Sequence, residues 1–569
     1  MRRDASRRRT AVWVGLLLIL SGTPVALGAD IAGGPDRADV GSRGRELDTY
    51  LTAARDVRHF QGVVLVARDG RPVLEKGYGD ASVELGVPNT PETKFLIGSI
   101  TKQFTAALIL QLQEQGKLDV QDPITKYLTD YPPEPGARIT IRHLLTHTSG
   151  LPSYTDDAEL MARRTVDASP AEVLATFRDL PLQFEPGTEF RYSNSGYFLL
   201  GLIIEAVTGQ PYEQLLTERI LQPLGMSESG YGHNEAILKH RARGHAFTAD
   251  EWANTPQVAM SLPFAAGSMY STARDLLRWD QALYGARVLA DASKAQMFTP
   301  GLGNYGYGWM ITEINGHRVI AHDGGIDGFT SHLARYVDDK VTVIVLCNNE
   351  SLQASTIGFA CASIIFGQPY DLPVKKSPAA LSLNLDDYPG AYPLGDRQYR
   401  VIRRDGDGLV SQRTGGPAHR LFPEALDRFF YEHDHATTIS FERDAAGKVI
   451  ASVMHQQGVD TRIERLVGPV ADSLLVTPRV AEIDPAILTR YVGEYELAPT
   501  FNLTFRVREG RLFAQATGQT ELELFPSSET EFFYTAVDAR ISFEVGADGT
   551  ATGLVLHQGG RDMPAKKTH

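Results

Sequence analysis

The chain has 569 residues, of which 43% are hydrophobic and 22% charged. This is the composition of an ordinary folded protein, and the length exceeds what one hydrophobic core usually serves, so two or more domains are expected. The formal net charge of -13 excludes a general nucleic-acid binder, because phosphate contacts require a basic face.

Residues 1–28 have the pattern of an export signal. A cluster of arginines between Arg2 and Arg9 precedes the apolar run from Ala11 to Leu20, and Ala26-Leu27-Gly28 offers a small-residue cleavage site. The apolar run is too short to span a bilayer comfortably. We therefore predict an exported protein, periplasmic or extracellular, with no stable membrane span. An uncleaved signal anchor is the alternative.

The next region alternates between strand and helix patterns. Residues 60–79 predict a β-hairpin that turns at Asp69-Gly70. Helix signals follow at Ser99, at Ser169 with Glu172, at Asn194 or Ser195 up to Gly209, and at Thr272 with Asp275 as a capping box. Strands over 316–325 and 341–349 and a last helix complete the order. It suits an α+β domain over residues 29–366, an antiparallel sheet with packed helices and a large helical insertion.

The two cysteines lie in this domain, Cys347 in an apolar strand and Cys361 in an apolar segment. An exported protein permits a disulfide. Buried free thiols are the expected state, because both neighbourhoods are apolar.

The C-terminal part has a different sequence pattern, and this pattern occurs twice. A Pro-rich linker over 367–380 leads into strand-sized alternating runs. Residues 385–392 match 488–495 at an offset of 103, and 439–460 match 541–562 at an offset of 102. We predict two copies of a small all-β, barrel-like domain, over 381–468 and 484–566.

Matched histidines occur in the two copies, at His455 and His557. No set of metal ligands surrounds either of them, so both are expected to be structural. Neither a metal nor another cofactor is predicted for the chain.

Ser99 and Lys102 form a Ser-x-x-Lys pair at the head of a helical run. The spacing alone is uninformative, and a Ser cap with a solvated lysine is the simple alternative. However, residues three apart share one helical face. A desolvated lysine with a lowered pKa can then accept the serine proton, which would make Ser99 a nucleophile.

Two further segments carry groups that suit the same chemistry. Tyr192 and Asn194 stand on a loop before a helix, where a phenol can relay protons and an amide can hold the lysine and a substrate carbonyl. His322, Gly324 and Gly325 end a strand, where a bare backbone N–H can face an oxyanion. Taken singly, a packed tyrosine beside a cap and a strand-end turn remain the alternatives.

Together the order SxxK, YxN and HxG resembles the serine beta-lactamase and penicillin-binding protein superfamily, in its class C beta-lactamase-related branch. Four connecting phrases are typical of that branch: "HLLTHTSGLP" from His143, "FEPGTEFRYSNSGY", "PFAAGSMYSTARDLLRW" and "YGYGW" from Tyr305. The resemblance covers roughly residues 45–366.

The resemblance implies an acyl-enzyme mechanism in which Ser99 attacks a carbonyl and Lys102 and Tyr192 share the base and acid roles. Asn194 would position Lys102 and the substrate amide. The backbone N–H groups of Ser99 and Gly325 would form the oxyanion hole.

One departure from the branch concerns the substrate. Its lactamases have Lys-Thr-Gly where this chain has His322-Asp323-Gly324, and a neutral histidine binds a carboxylate less well than lysine. Asp323 would further discourage an anion if it points inward. Histidine here is more familiar among D,D-peptidases, D-aminopeptidases and esterases, so dedicated antibiotic hydrolysis is not expected.

A catalytic domain followed by two small barrels is similar to the layout of D-stereospecific aminopeptidases, where a barrel loop restricts the active site. The corresponding loops here are 411–420 and 514–521, and a hairpin that touches nothing is the alternative. The predicted function is hydrolysis of amide bonds in D-residue peptides, of the D-aminopeptidase or D,D-carboxypeptidase type, with small peptides and peptidoglycan fragments as partners. A carboxylesterase and a non-catalytic cell-wall-binding or sensory homologue are the alternatives.

Overall fold

The structure is a computed structural model that describes residues 37–568 with short gaps. The gaps are 249–250, 396–397, 415–417, 433, 457–458, 469–480, 482, 499–500, 509, 518–520, 535–538, 547–548 and 559–560. The predicted export signal and the tips of the two barrel loops lie outside the described residues. Within the described part, no helix is both long and apolar enough to cross a membrane.

Among the described residues, the α-helices all lie in the first part of the chain. They are α1 Arg37–Arg58, α2 Thr101–Glu114, α3 Pro133–Gly136, α4 Ile141–Leu145, α5 Ala158–Ala162, α6 Pro170–Ala175, α7 Asn194–Thr208, α8 Tyr212–Leu216, α9 Gln222–Leu224, α10 Phe264–Gly267, α11 Ala273–Ala282, α12 Asp291–Met297 and α13 Ala354–Phe366.

Thirteen strands accompany these helices in the described residues. They are β1 Gly62–Arg68, β2 Arg71–Tyr78, β3 Asp80–Ser82, β4 Val87–Pro88, β5 Phe95–Leu96, β6 Gly230–Tyr231, β7 His245–Thr248, β8 Glu251–Asn254, β9 Met269–Ser271, β10 Met310–Ile314, β11 His317–Ile326, β12 Phe329–Tyr336 and β13 Val341–Cys347. Six of them form the main antiparallel sheet in the order β10-β11-β12-β13-β1-β2. The helical insertion lies between β2 and β10, which confirms the predicted α+β architecture.

The predicted hairpin is β1 and β2, in which Arg68 lies opposite Arg71. Asp69 and Gly70 have φ of 50° and 70°, as a two-residue hairpin turn with the twist of its strands requires. Alternate residues of β1 then face opposite sides of the sheet. Val63 packs in the core shared with α2, and Val64 packs in the core that also includes residues of α1 and α13.

Both cysteines belong to this second core. Cys347 and Cys361 are buried and free, in agreement with the expected state. Burial raises the pKa of both thiols, that of Cys347 to about 11, so neither is a thiolate at neutral pH.

The helix signals are mostly confirmed. Ser169 and Glu172 form a reciprocal capping box on α6, and Gly209 ends α7 in the left-handed conformation with φ of 68°. The box predicted at α11 is wrong in one half. Thr272 accepts the N–H of Asp275, but the Asp275 carboxylate accepts the N–H of Glu228 and the hydroxyl of Ser229.

A buried ion pair joins α11 to the main sheet. Asp280 accepts a hydrogen bond from the Arg335 guanidinium and another from the Thr342 hydroxyl at 2.6 Å. The side chains of Asp280 and Arg335 are 0% and 2% exposed. The guanidinium also lies 4.8 Å from the Tyr284 ring centroid and 5.7 Å from that of Trp309. Removing one partner would leave the other charge buried without compensation.

We expect Asp280→Ala to lower the free energy of unfolding of this domain by about 3–5 kcal/mol. The measurement is chemical denaturation followed by tryptophan fluorescence, which reports this domain because Trp252, Trp279 and Trp309 all lie in it. The control is Asp56→Ala, which removes an exposed ion pair with Arg55 and should cost below about 1 kcal/mol. Equal effects of the two substitutions would contradict this account.

The described residues of the C-terminal part form two eight-stranded antiparallel units, in agreement with the two all-β copies that the repeat predicted. The first contains β14 Gly390–Gly395, β15 Gln398–Asp405, β16 Gly408–Arg413, β17 Ala418–Ala425, β18 Arg428–Tyr431, β19 Asp434–Arg443, β20 Val449–Gln456 and β21 Val459–Glu464. The second contains β22 Gly493–Ala498, β23 Phe501–Arg508, β24 Arg511–Ala516, β25 Leu522–Pro526, β26 Glu531–Tyr534, β27 Ala539–Val545, β28 Ala551–Gln558 and β29 Arg561–Lys567.

The second unit is a closed barrel, because β29 pairs with β22. In the first unit the N–H of Leu466, just beyond β21, bonds to the carbonyl of Ala391 on β14 at 2.8 Å. That contact brings the two edge strands together. The fold class predicted for the tail is thus confirmed.

The matched histidines connect strands in the same way in both units. His455 Nε2 lies 2.8 Å from the Ser440 hydroxyl and Nδ1 lies 2.7 Å from Asp460. His557 makes the equivalent contacts with Ser542 and Asp562. Each histidine therefore links three neighbouring strands. In the second unit the Ser542 hydroxyl also donates to Glu531 at 2.8 Å, so His557 Nε2 is the donor toward this serine.

Candidate active site

Ser99 lies on a tight turn beside the main sheet. A short 3-10 helix, Gly98–Ile100, leads directly into α2, and Ser99 caps nothing, because Ile100 is the N-cap residue. Gly98 has φ of 50°, and a Cβ placed there would lie 2.8 Å from the backbone N of Gly325. Only glycine fits this position. The alternative of a serine cap is therefore wrong.

Lys102 lies in the first turn of α2 and is 0% exposed. Its Nζ is 2.9 Å from Ser99 Oγ, 2.9 Å from Asn194 Oδ1 and 2.7 Å from the carbonyl oxygen of Ala266. The last two oxygens can only accept, so they take the two hydrogens of a neutral amine. The remaining lone pair then points at the Ser99 hydroxyl.

Burial determines the charge of this lysine. Complete desolvation holds the pKa of Lys102 well below its usual value, because no carboxylate compensates the charged form. The neutral amine is the form that can accept a proton from Ser99. The alternative of a solvated lysine is therefore wrong as well.

Tyr192 and Asn194 approach the pair from the loop before α7. Lys102 Nζ is 5.0 Å from the centroid of the Tyr192 ring. Burial raises the pKa of the Tyr192 phenol above its usual range, although a hydrogen bond with Ser99 lowers it in part. The phenol therefore keeps its proton at neutral pH. Asn194 Nδ2 donates to Thr155 Oγ1 at 3.3 Å, which orients the amide oxygen toward Lys102.

His322 faces the site from β11, with both ring nitrogens engaged. Nδ1 donates to the carbonyl of Asp323 at 2.6 Å, and Nε2 accepts from the Tyr305 hydroxyl at 2.8 Å. Burial, and then the neighbouring Lys102, lower the pKa of His322 to about 4. The ring is neutral at pH 7 and has no nitrogen left for a substrate carboxylate.

Asp323 points to the other face of the sheet. Its carboxylate lies 2.6 Å from Nδ1 of His332, whose ring packs against Phe359 of α13. The suggestion that Asp323 repels anions depended on an inward side chain, so it does not apply.

The two glycines after it differ in their surroundings. A Cβ on Gly324 would lie 2.0 Å from the carbonyl oxygen of Ile97, so this glycine permits close packing of the nucleophile turn on β11. A Cβ on Gly325 would meet nothing within 4 Å among the described atoms. The space beside the Gly325 backbone is thus open to a substrate.

The structure therefore brings Ser99, Lys102, Tyr192, Asn194 and His322 together, with Gly324 and Gly325 at the strand beside them. Their catalytic and binding roles stay predictions. Sequence reasoning missed two groups that bond to these residues, the carbonyl of Ala266 and the hydroxyl of Tyr305. The signal was present, since both lie in phrases typical of the superfamily branch. Across the described residues, no group of three or more potential metal ligands occurs.

Lys102 is buried and points at a serine one helical turn away, and that serine lies on a turn held against an antiparallel sheet. This arrangement defines the class of SxxK serine hydrolases. The comparison with protein families agrees. A model described as Beta-lactamase matches residues 47–356, more than half of the chain, and the chain belongs to this family. It is a serine hydrolase. A second model, described as a domain of unknown function (DUF3471), matches residues 477–567.

Individual relatives extend this result. A penicillin-binding protein of Bacillus subtilis (strain 168) is 28% identical over 554 residues, which cover 92% of this chain and 98% of that protein. The octameric penicillin-binding protein homologue from Pyrococcus abyssi is 26% identical, with a TM-score of 0.53 over 74% of this chain and 98% of that one. D-amino acid amidase from Ochrobactrum anthropi SV3, complexed with D-phenylalanine, is 26% identical, with a TM-score of 0.51 over 58% and 99%.

Proposed function

We propose that this protein is an exported serine amidase that cleaves amide bonds of D-residue compounds through an acyl-enzyme on Ser99. The observation that carries the proposal is the position of Lys102 Nζ, which lies 2.9 Å from Ser99 Oγ and within hydrogen-bond distance of the acceptor oxygens of Asn194 and Ala266. In the neutral amine, the bonds to these two oxygens leave the lone pair for the Ser99 proton. Export rests on residues 1–28, which lie outside the described part of the chain.

The proposed reaction starts with transfer of the Ser99 proton to Lys102 as Oγ bonds to the substrate carbonyl carbon. The resulting oxyanion accepts the backbone N–H groups of Ser99 and Gly325. Tyr192 then donates its proton to the leaving nitrogen, the C–N bond breaks, and the proton held by Lys102 restores the phenol. Water attacks the acyl-enzyme, with the same groups taking its proton and returning it to Ser99.

The choice of substrate class rests on charge. A substrate carboxylate beyond the scissile bond would meet the neutral ring of His322, both of whose nitrogens are engaged. The carboxylate would lose its hydrating water there without gaining a hydrogen-bond partner, a cost that an uncharged amide avoids. The similarity to a D-amino acid amidase points the same way. Within the predicted D-peptidase class we therefore favour the aminopeptidase or amidase type over the D,D-carboxypeptidase type.

A substrate panel tests the proposal. We expect kcat/KM for a D-aminoacyl p-nitroanilide to exceed that for its L-enantiomer at least about tenfold, which is the discrimination that one misplaced substituent provides. A D-Ala-D-Ala peptide amide should be cleaved faster than the free acid. Preference for the L-anilide would overturn the D-residue proposal. Turnover of short-chain esters alone would favour the carboxylesterase alternative.

A further inference from the structure

His147 lies directly behind the loop that carries Tyr192. It follows α4 in a left-handed conformation with φ of 55° and is 1% exposed. Its backbone carbonyl accepts the N–H of Arg191 at 2.9 Å, and its ring Nδ1 accepts the N–H of Ser193 at 3.1 Å. One residue therefore holds the backbone on both sides of Tyr192.

The ring of His147 also supports the ring of Tyr192. Their centroids are 4.1 Å apart with an interplanar angle of 34°. The ring centroid of Tyr305 lies 4.7 Å from that of His147. Tyr305 in turn donates its hydroxyl to His322. His147 is thus the middle member of an aromatic wall that connects the loop of Tyr192 with β11.

Its protonation state suits this position. Because Nδ1 accepts the Ser193 N–H, the single proton of the neutral ring is on Nε2. Burial, followed by the nearby Lys102 and His322, holds the pKa of His147 well below its usual value. The ring can therefore keep its acceptor on Nδ1 throughout the neutral pH range.

From this geometry we infer that His147 is a positioning residue, which fixes Tyr192 in line with the leaving nitrogen. The inference rests on the proposed function, in which Tyr192 protonates the leaving group. A p-nitroanilide amine needs that proton, whereas p-nitrophenolate, a stable anion, leaves an ester without it. A displaced Tyr192 should therefore impair amide cleavage far more than ester cleavage.

The test compares the best anilide of the panel with p-nitrophenyl acetate. His147→Asn keeps an acceptor near Nδ1 and tolerates positive φ, but it removes the stacked ring. We expect kcat on the anilide to fall about tenfold to a hundredfold, with KM within about twofold, and the loss on the ester to stay below about threefold. His147→Phe keeps the ring and removes the acceptor, and it should show the same asymmetry if His147→Asn does not fold.

The matched control is His143→Asn, in the same segment. His143 forms the reciprocal capping box with Thr140 on α4 and has no role in the proposed chemistry, so the ratio of anilide to ester activity should not change. Equal losses on both substrates in the His147 variants would indicate a merely structural residue and would overturn the inference.

A double variant completes the test. If His147 acts through Tyr192, adding His147→Asn to Tyr192→Phe should cost little more on the anilide than Tyr192→Phe alone. Multiplicative losses would contradict the inference while leaving the proposed function intact. If Tyr192→Phe alone changes neither substrate, the proposed function fails first, so the two failures are distinguishable.

Discussion

Ser99→Ala should abolish covalent labelling by a fluorescent acylating probe and lower kcat on the best substrate by about 10⁴-fold or more. The residual rate would come from substrate binding and the backbone donors alone. The Ser99 hydroxyl lies 2.9 Å from Lys102 Nζ, and its loss removes the atom that forms the acyl bond in the proposed reaction. The measurements are in-gel fluorescence and steady-state kinetics at matched protein concentration.

The control for this prediction is Ser169→Ala. Ser169 is the exposed cap of α6, and its loss should cost about 1 kcal/mol of stability and leave labelling unchanged. Labelling of Ser99→Ala at the level of the natural chain would place the nucleophile elsewhere. A natural chain that is not labelled, beside a relative that is, would support the non-catalytic homologue.

Lys102→Arg should lower kcat by about 10³-fold, a loss typical for removal of a general base. A guanidinium stays protonated at every usable pH and cannot accept the Ser99 proton. Lys94→Arg is the matched control, because Lys94 is also nearly buried but acts as a cation toward Glu228 at 2.6 Å. It should keep most of the activity.

The pH profile tests the same base independently. In the proposed reaction only the neutral amine of Lys102 is active, and its fraction grows as pH rises through its pKa. Desolvation lowers that pKa well below the usual value of 10.5, so the rise of kcat/KM should be complete well below pH 10. His322, with a pKa of about 4, adds no limb between pH 5 and 8. A rate still climbing at pH 10 would mean that the pKa of the base is not lowered, and it would contradict a neutral Lys102 amine at neutral pH.

Local sequence patterns predicted the elements reliably where one local cause decides them. The hairpin at Asp69-Gly70 and the cap at Gly209 each depend on backbone conformations that few residues adopt. The prediction of a capping box at Asp275 was wrong because distant donors competed for its carboxylate. This carboxylate accepts the backbone N–H of Glu228 and the hydroxyl of Ser229 instead. Such long-range competition leaves no trace in a short window.

The candidate site also has features that local sequence predicts and features that it does not predict. The proximity of Ser99 and Lys102 follows from helical geometry, because residues three apart share a face. The chemistry of Tyr192, Asn194 and His322 marked them as candidates, but their grouping with Lys102 came from the family resemblance. No linear pattern shows that a loop and a strand end meet at the same lysine. The outward direction of Asp323 and the packing of Gly324 on Ile97 required the sheet register.

The sequence by itself determined the family, the fold class, the duplicated barrel units and the order of the chemical groups. Each of these follows from local residue patterns or from segments that recur along the chain. Only the tertiary structure decided their protonation states and their freedom to act. A pKa depends on burial and on partners far apart in sequence. Full desolvation lowers the pKa of Lys102, Tyr305 occupies one nitrogen of His322, and His147 accepts the backbone N–H of Ser193 beside Tyr192.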